Sequence, residues 1–306
     1  ITVTYNKAFD TNGTAEAKTV TIQKGGTLTF SRTLSTRLDL DGNLAVRDGG
    51  VLDVGTEGSP IPKEVTVHIG FNVLNDRLFK GGSAMGPDPI YPHFVPSDTG
   101  VWVMGEGSRA TFSGAPIPTT WSKLVADAAV GGNTLTLKDT PTGWRIGDRI
   151  VVTPTGKDPQ EVEVRTISGI SGKTLTISAP LSYSHAGRLK AANKTTGVTR
   201  TITNESDVLS SEVLIKEQGE IGLLTRNVVV TSNYVKEGDQ HHRAHVAYIH
   251  GGTGEARYTE FRDLGPRGIL GRYPLHLHHL GSAATGFMIE GDAFWSSIKD
   301  PMNKCV

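Results

Sequence analysis

Cysteine is nearly missing from this chain. Cys305 stands alone, so no disulfide can form within it and no disulfide framework holds its fold. An excess of either charge is missing too. Lys plus Arg and Asp plus Glu each number 31, so there is no global field of the kind that draws a protein to nucleic acid, and no nucleic-acid partner is expected. No apolar run reaches the ~18 residues that a spanning helix needs, so no membrane segment is expected in this stretch. The chain starts without methionine or a signal-like leader, an expectation being that Ile1 follows a removed leader or marks a boundary.

Glycine, by contrast, is abundant at 37 residues. It punctuates short alternating runs rich in Val, Thr and Ile, such as LDLDG, LAVRDGG and LDVG. Tight turns between short strands follow from that pattern. Seven of the ten histidines lie between His241 and His279. His250 and His278 are 28 apart (278 − 250), while Glu260 and Glu290 are 30 apart (290 − 260). Strand-like runs recurring at a fixed interval are how a solenoid shows itself in sequence. The fold class expected is therefore all-β: a right-handed parallel β-helix with a small antiparallel β-module inserted. Residues 1–118 read as the first helical part with a proline-rich excursion (GGSAMGPDPIYPHFVPSDTG) overhanging a groove. Residues 119–185 read as the inserted module, and 186–306 as a polar connector leading into the main coils.

The run GRYPLHLHHLG carries the chemistry. On a strand, Leu275 and Leu277 turn to one face and His276 and His278 to the other. Coils in register bring a residue one period away to about 4.8 Å, which sets His250 beside this pair. Three imidazoles with an open fourth position form a ligand set for zinc or a similar divalent transition metal, so His250, His276 and His278 are the candidate metal ligands. Asp39, Asp41, Asp48 and Asp53 lack the dense spacing of a calcium loop and read first as turn formers, with calcium a lesser expectation elsewhere in the chain. Bond cleavage by general catalysis needs an acid or a base, and a carboxylate ligand is best held by a bidentate cation. Arg272, His276, Glu290 and Asp300 are the catalytic candidates, Arg272 being the preferred clamp. Arg262, Arg267, Tyr248 and Tyr273 are the candidate substrate contacts. A competing reading takes Trp102, Tyr248 and Tyr273 as sugar platforms, although burial suits Trp102 better.

TIQKGGTLTF followed by LDLDGNLAVRDGGVLDVGTEGSPIPKEVTVHI resembles the eight-glycine (G8) domain, with Gly26, Gly42, Gly49, Gly50 and Gly55 fitting its pattern. That domain occurs in cell-surface hyaluronidases, in a cell-migration-inducing hyaluronan-binding protein and in fibrocystin-like proteins. WRIGDRIVVTPTGKDPQEVEVRTI with PLSYSHAG resembles the insert of the same family at Trp144, Gly147, Asp148, Asp158, Glu161, Glu163 and His185. From GEIGLLTRNVVV onward the likeness runs through HVAYIHGG and GRYPLHLHHLG to the end. It implies an extracellular or cell-surface protein cutting hyaluronan or a related glycosaminoglycan. In the family another histidine-glycine pair follows the final Lys-Cys-Val, so a further carboxy-terminal part is expected here. A different class of function is a non-catalytic filament or adhesion protein, self-stacking through an open last coil.

Overall fold

The computed structural model of the chain describes residues 2–5, 15–82, 84–235 and 242–297. Among them every regular element beyond short 3-10 turns is a strand, mostly three to five residues long. No helix is long and apolar enough to cross a membrane, which says nothing of β-barrels. By contact the chain divides into two units, residues 1–116 with 226–300, and residues 117–225.

The first unit is a parallel β-helix with three faces. The first face stacks Thr2–Tyr5, Thr27–Phe30, Val51–Val54, Arg109–Ser113, Thr253–Arg257 and Met288–Glu290. Ala15–Ala17, Thr36–Leu40, Val67–Phe71, Val228–Ser232, Thr259–Arg262 and Ala293–Trp295 build the second. The third stacks Val20–Ile22, Leu44–Arg47, Gly100–Met104, His245–Ile249 and His276–His278. The chain visits the faces in that order at every turn, so period-two alternation sends one set of side chains inward from all three. Inward residues then form columns. Leu38, Ile69, Val230, Phe261 and Phe294 make one, ending in two rings stacked 4.9 Å apart. Each buried aliphatic contributes about 1.5–3 kcal/mol.

Tyr248 is part of this interior. It continues the column Val46, Val103, Tyr248, Leu277, is 0% exposed, and its hydroxyl donates to the Ala110 carbonyl at 2.9 Å. Gly254 makes the room. A Cβ there would lie 1.9 Å from the Ala110 oxygen and 2.9 Å from the Tyr248 hydroxyl. Tyr248 therefore cannot touch a substrate or serve as a sugar platform. Trp102, also 0% exposed, is ruled out likewise.

Register does not stack Glu260 and Glu290, although their 30-residue separation reads as one coil. Glu260 pairs with Ala293 on the second face, while Glu290 pairs with Arg257 on the first. The coil here is 33 residues long (290 − 257), so the 30-residue spacing of the two glutamates matches no rung.

The second unit, 117–225, is longer than the expected 119–185 module. Six antiparallel strands run in the order Trp121–Lys123, Glu220–Leu223, Arg149–Val152, Glu163–Ser171, Thr174–Ile177, Thr134–Thr136. The bridge between Leu124 and Leu137 closes them into a barrel around Leu135, Ile150, Ile167, Leu175 and Ile221. Glu220–Leu223, placed by sequence among the connector and main coils of 186–306, pairs antiparallel with two barrel strands. The supposed connector forms a three-stranded sheet with Leu189–Asn193 between Thr199–Ile202 and Glu212–Ile215. A buried polar staple fixes the barrel. The Glu163 carboxylate accepts from the Ser182 and Tyr183 amides at 2.9 and 3.0 Å, meets His185 Nε2 at 3.0 Å, and pairs with Arg165. His185 Nδ1 faces the Thr153 carbonyl at 2.8 Å.

Candidate functional site

The outward side of the third face ends in histidines. Stacking places Thr21, Ala45, Trp102, Ala247 and His276 in one column, and Arg47, Met104, Ile249 and His278 in the next. The middle of this face is not open. The proline-rich excursion lies on it, Tyr91 and Phe94 packing with Ala45, Trp102, Met104, Ala247 and Ile249 into a second small core. The excursion is tied down along its length. Asn43 Nδ2 donates to the Pro96 carbonyl at 2.9 Å, Arg47 pairs with Asp88 at 2.8 Å, and the Tyr91 hydroxyl donates to Asp48 at 2.6 Å. At its base the Asp98 carboxylate, wholly buried, accepts from the amides of Lys80 and Gly81 and from Arg272 Nε at 2.8 Å.

That last bond decides the fate of Arg272. It is 4% exposed, engaged by Asp98, and stacked 4.7 Å from the Trp102 ring centre. It anchors the loop and is no exposed clamp for a uronate.

The excursion also delivers a histidine that the spacing argument passed over. The His93 ring stacks on His250 at 5.1 Å and stands edge-on to His278 at 5.1 Å. His276 and His278 are 5.0 Å apart, and His279 lies 4.3 Å beyond His278. His93 Nδ1 and His250 Nε2 are 3.2 Å apart. His276 Nδ1 lies 2.9 Å from the Gly271 carbonyl. A carbonyl can only accept, so that nitrogen carries the proton and Nε2 keeps its lone pair. His93, His276 and His278 line one cavity with Trp102 and Arg272; its volume is about 10 Å³, room for one water or one small ion.

His250 is placed differently from expectation. The strand stops at Ile249, which pairs with His278, and the backbone turns through His250 and Gly251 at φ 50° and 86°. His250 therefore makes its ring contact with the cluster at His93, and His279, also at positive φ (49°), holds the equivalent turn one coil later. Partial burial first, then the neighbouring imidazoles, push His278 down to about 4. Burial lowers His250 and His276 as well. These downward shifts favour the neutral ring at His250, His276 and His278, the state in which imidazole donates to metals. As the side chains stand, no three His, Cys, Asp or Glu groups among the described residues already surround a common point.

The other candidates scatter. Tyr273 is 43% exposed with its ring 4.9 Å from His276, so it borders the cluster. Arg267 is exposed in the preceding turn. Arg262 pairs with Glu260 on the second face, and Glu290 with Arg257 on the first, away from the imidazole strand. Asp300 lies outside the described residues. Asp39, Asp48 and Asp53 are each paired with an arginine and Asp41 accepts from Asn72, an arrangement of turns and ion pairs. His245 points the same way as the cluster but is fully buried, its ring edge-on to Trp102 at 4.8 Å.

Residues 1–125 match the G8 domain. Mouse (Mus musculus) fibrocystin-L is 27% identical over 318 residues, covering 90% of this chain and 6% of that protein. A G8 domain-containing protein of Dictyostelium discoideum is 30% identical over 165 residues, 53% of this chain and 9% of the relative. Among solved structures, the tailspike gp61 of Pseudomonas phage phi297 aligns with 79% of this chain and 29% of its own, at 12% identity and a TM-score of 0.28. The chain thus spans a small fraction of the relatives it matches. Its amino-terminal part matches the G8 domain, and the chain as a whole is similar to fibrocystin-L and the G8 domain-containing proteins.

Proposed function

We propose that this chain is an extracellular or cell-surface carbohydrate-active module, using a divalent transition metal at the imidazole cluster to cleave a glycosaminoglycan-like polysaccharide. The observation that carries the reading is the continuous run of ring contacts from His250 through His93 and His278 to His276, all on one outward face. A ring with a pKa of about 4 is too weak a base to lead proton transfer near pH 7, but it remains a lone-pair donor. That favours ligation over general-base work for His278. Zinc or a similar ion, when bound, would lower the pKa of a water to about 7 and polarise the sugar's oxygens.

The protein's own residues supply shape and orientation. The Gly271 carbonyl fixes which nitrogen of His276 is open, and Asp98 with Arg272 fixes the excursion on its face. The cavity is too small for a sugar ring, so the polysaccharide would lie across its rim, where Tyr273 presents an exposed ring. Arg267, exposed on the same loop, is the candidate for a uronate carboxylate.

Binding without cleavage is the second reading. It is favoured by one observation: among the described residues, the hydrogen bonds and ring contacts of the four imidazoles include no carboxylate. The test is incubation of zinc-loaded protein with hyaluronan, chondroitin and heparan chains, following new reducing ends and unsaturated uronate. Cleavage of one of them, reduced about 100-fold or more in His278→Ala, is the expected result. Retention on a glycan column without turnover would select the binding reading, and neither retention nor turnover would end both.

A further inference from the structure

We propose that the ion is held by His93, His276 and His278, with His250 acting as the positioning partner of His93, so that the metal clasps the excursion to the helix. This deepens the metal reading above and rests on it. His93, His276 and His278 line a single cavity of one-ion size, whereas His250 does not line it. Two imidazoles bound at ~2.0–2.1 Å to one tetrahedral ion have ring centres roughly 5 Å apart. The His93–His278 and His276–His278 separations of 5.1 and 5.0 Å meet that spacing. As the rings stand their nitrogens do not surround one point; with His276 held by Gly271 and His93 by His250, convergence falls to rotation of the His278 ring about its Cβ–Cγ bond, a broad torsion.

Both flanking rings have their far nitrogen occupied. His276 Nδ1 donates to the Gly271 carbonyl, and His93 Nδ1 sits 3.2 Å from His250 Nε2. A proton on His93 Nδ1 donated to His250 leaves His93 Nε2 with the ring's free lone pair. Ligand histidines are ordinarily oriented in this way by a hydrogen bond on the second nitrogen. The sequence spacing could not reveal it, because His93 reaches the site on an irregular loop and His250 turns aside at positive φ.

The experiment uses the whole chain and zinc alone, with no glycan, so it is independent of turnover. Zinc affinity is measured by competition with a chromogenic chelator, and protection of the excursion by limited proteolysis with and without zinc. Wild type is expected to bind one equivalent, with zinc slowing cleavage within 72–99. His93→Ala should weaken binding by about 100-fold or more and abolish the protection. His250→Ala should weaken it by about 10-fold, the scale of a lost orienting partner, with His250→Gln recovering most of the loss. Matching circular dichroism spectra confirm that the variants fold.

Near-wild-type affinity in His93→Ala together with loss of binding in His250→Ala would overturn this assignment and leave the metal reading standing. Failure of the wild type to bind zinc, with cobalt(II) and nickel(II) as further probes, would remove both. Zinc binding without glycan cleavage would leave this inference intact.

Discussion

At the scale of single residues, buried charge decides more than exposed charge. Asp98 and Arg272 are almost wholly excluded from water and depend on each other, so removing one strands the other. Breaking such a pair costs about 3–5 kcal/mol. Asp98→Ala is expected to lose stability on that scale in urea titration of the β-helix unit, whereas Lys63→Ala, whose partner Glu64 is exposed, should change it by less than about 0.5 kcal/mol. Glu163 gives a pH-dependent case. Burial works against its charge, yet hydrogen bonds from His185 and the Ser182 and Tyr183 amides, with Arg165 nearby, hold its pKa below the ordinary value. A depressed folded pKa contributes stability that is fully present above the unfolded value, ~4.3, and is lost as pH falls through the folded one. Glu163→Gln should therefore lower the unfolding free energy of the barrel unit at pH 6 by about 2 kcal/mol in urea titration and flatten the wild type's decline below about pH 4.3. An undiminished acid dependence in the variant would assign it to another group.

At the scale of strands and coils, alternation was legible in the sequence because it is local. Leu275 and Leu277 against His276 and His278 needed only the period of a strand, and the parallel β-helix followed from repetition. Register was not local. Here the coils are 29 residues from Ile249 to His278 (278 − 249) but 33 from Arg257 to Glu290, so one fixed interval could not place both. Turn geometry added the rest. His250 sits past the strand's end at φ 50°, one position away from the column its spacing promised. His93 was invisible for a different reason, since a proline-rich excursion has no period and its target is set by the packing of Tyr91 and Phe94. The exchange of large and small residues between neighbouring coils is testable at Gly254. Its missing side chain is filled by the Tyr248 ring and the Ala110 carbonyl, and backbone cannot yield as a flexible side chain would. Gly254→Ala should cost about 3 kcal/mol, and pairing it with Tyr248→Ala should recover only part of that, since the clash with the carbonyl remains. Unchanged denaturant midpoints in Gly254→Ala would mean that the coil can shift to accept a methyl.

At the scale of the whole chain, the two units should unfold separately. Each has its own core: the columns of the β-helix in one and the Leu135, Ile150, Ile167, Leu175 cluster in the other. The β-helix unit is interrupted in sequence from 117 to 225 but not in its packing. The Ala115 amide donates to the Asn227 side chain at 2.8 Å, and the same side chain donates to the carbonyls of Ile61, Pro62 and Val65. The two ends of the interruption are therefore already fastened together inside one coil. Closing a short loop there costs little entropy, because closure grows only slowly with length. Replacing 117–225 by two or three glycines is expected to leave a folded β-helix whose calorimetric transition coincides with one of two resolved in the full chain, the missing transition being that of the barrel. Zinc affinity should be unchanged in the shortened protein, since His93, His250, His276 and His278 all belong to the retained unit. A single cooperative transition in the full chain, or collapse of the shortened one, would instead make the barrel part of what holds the coils in register.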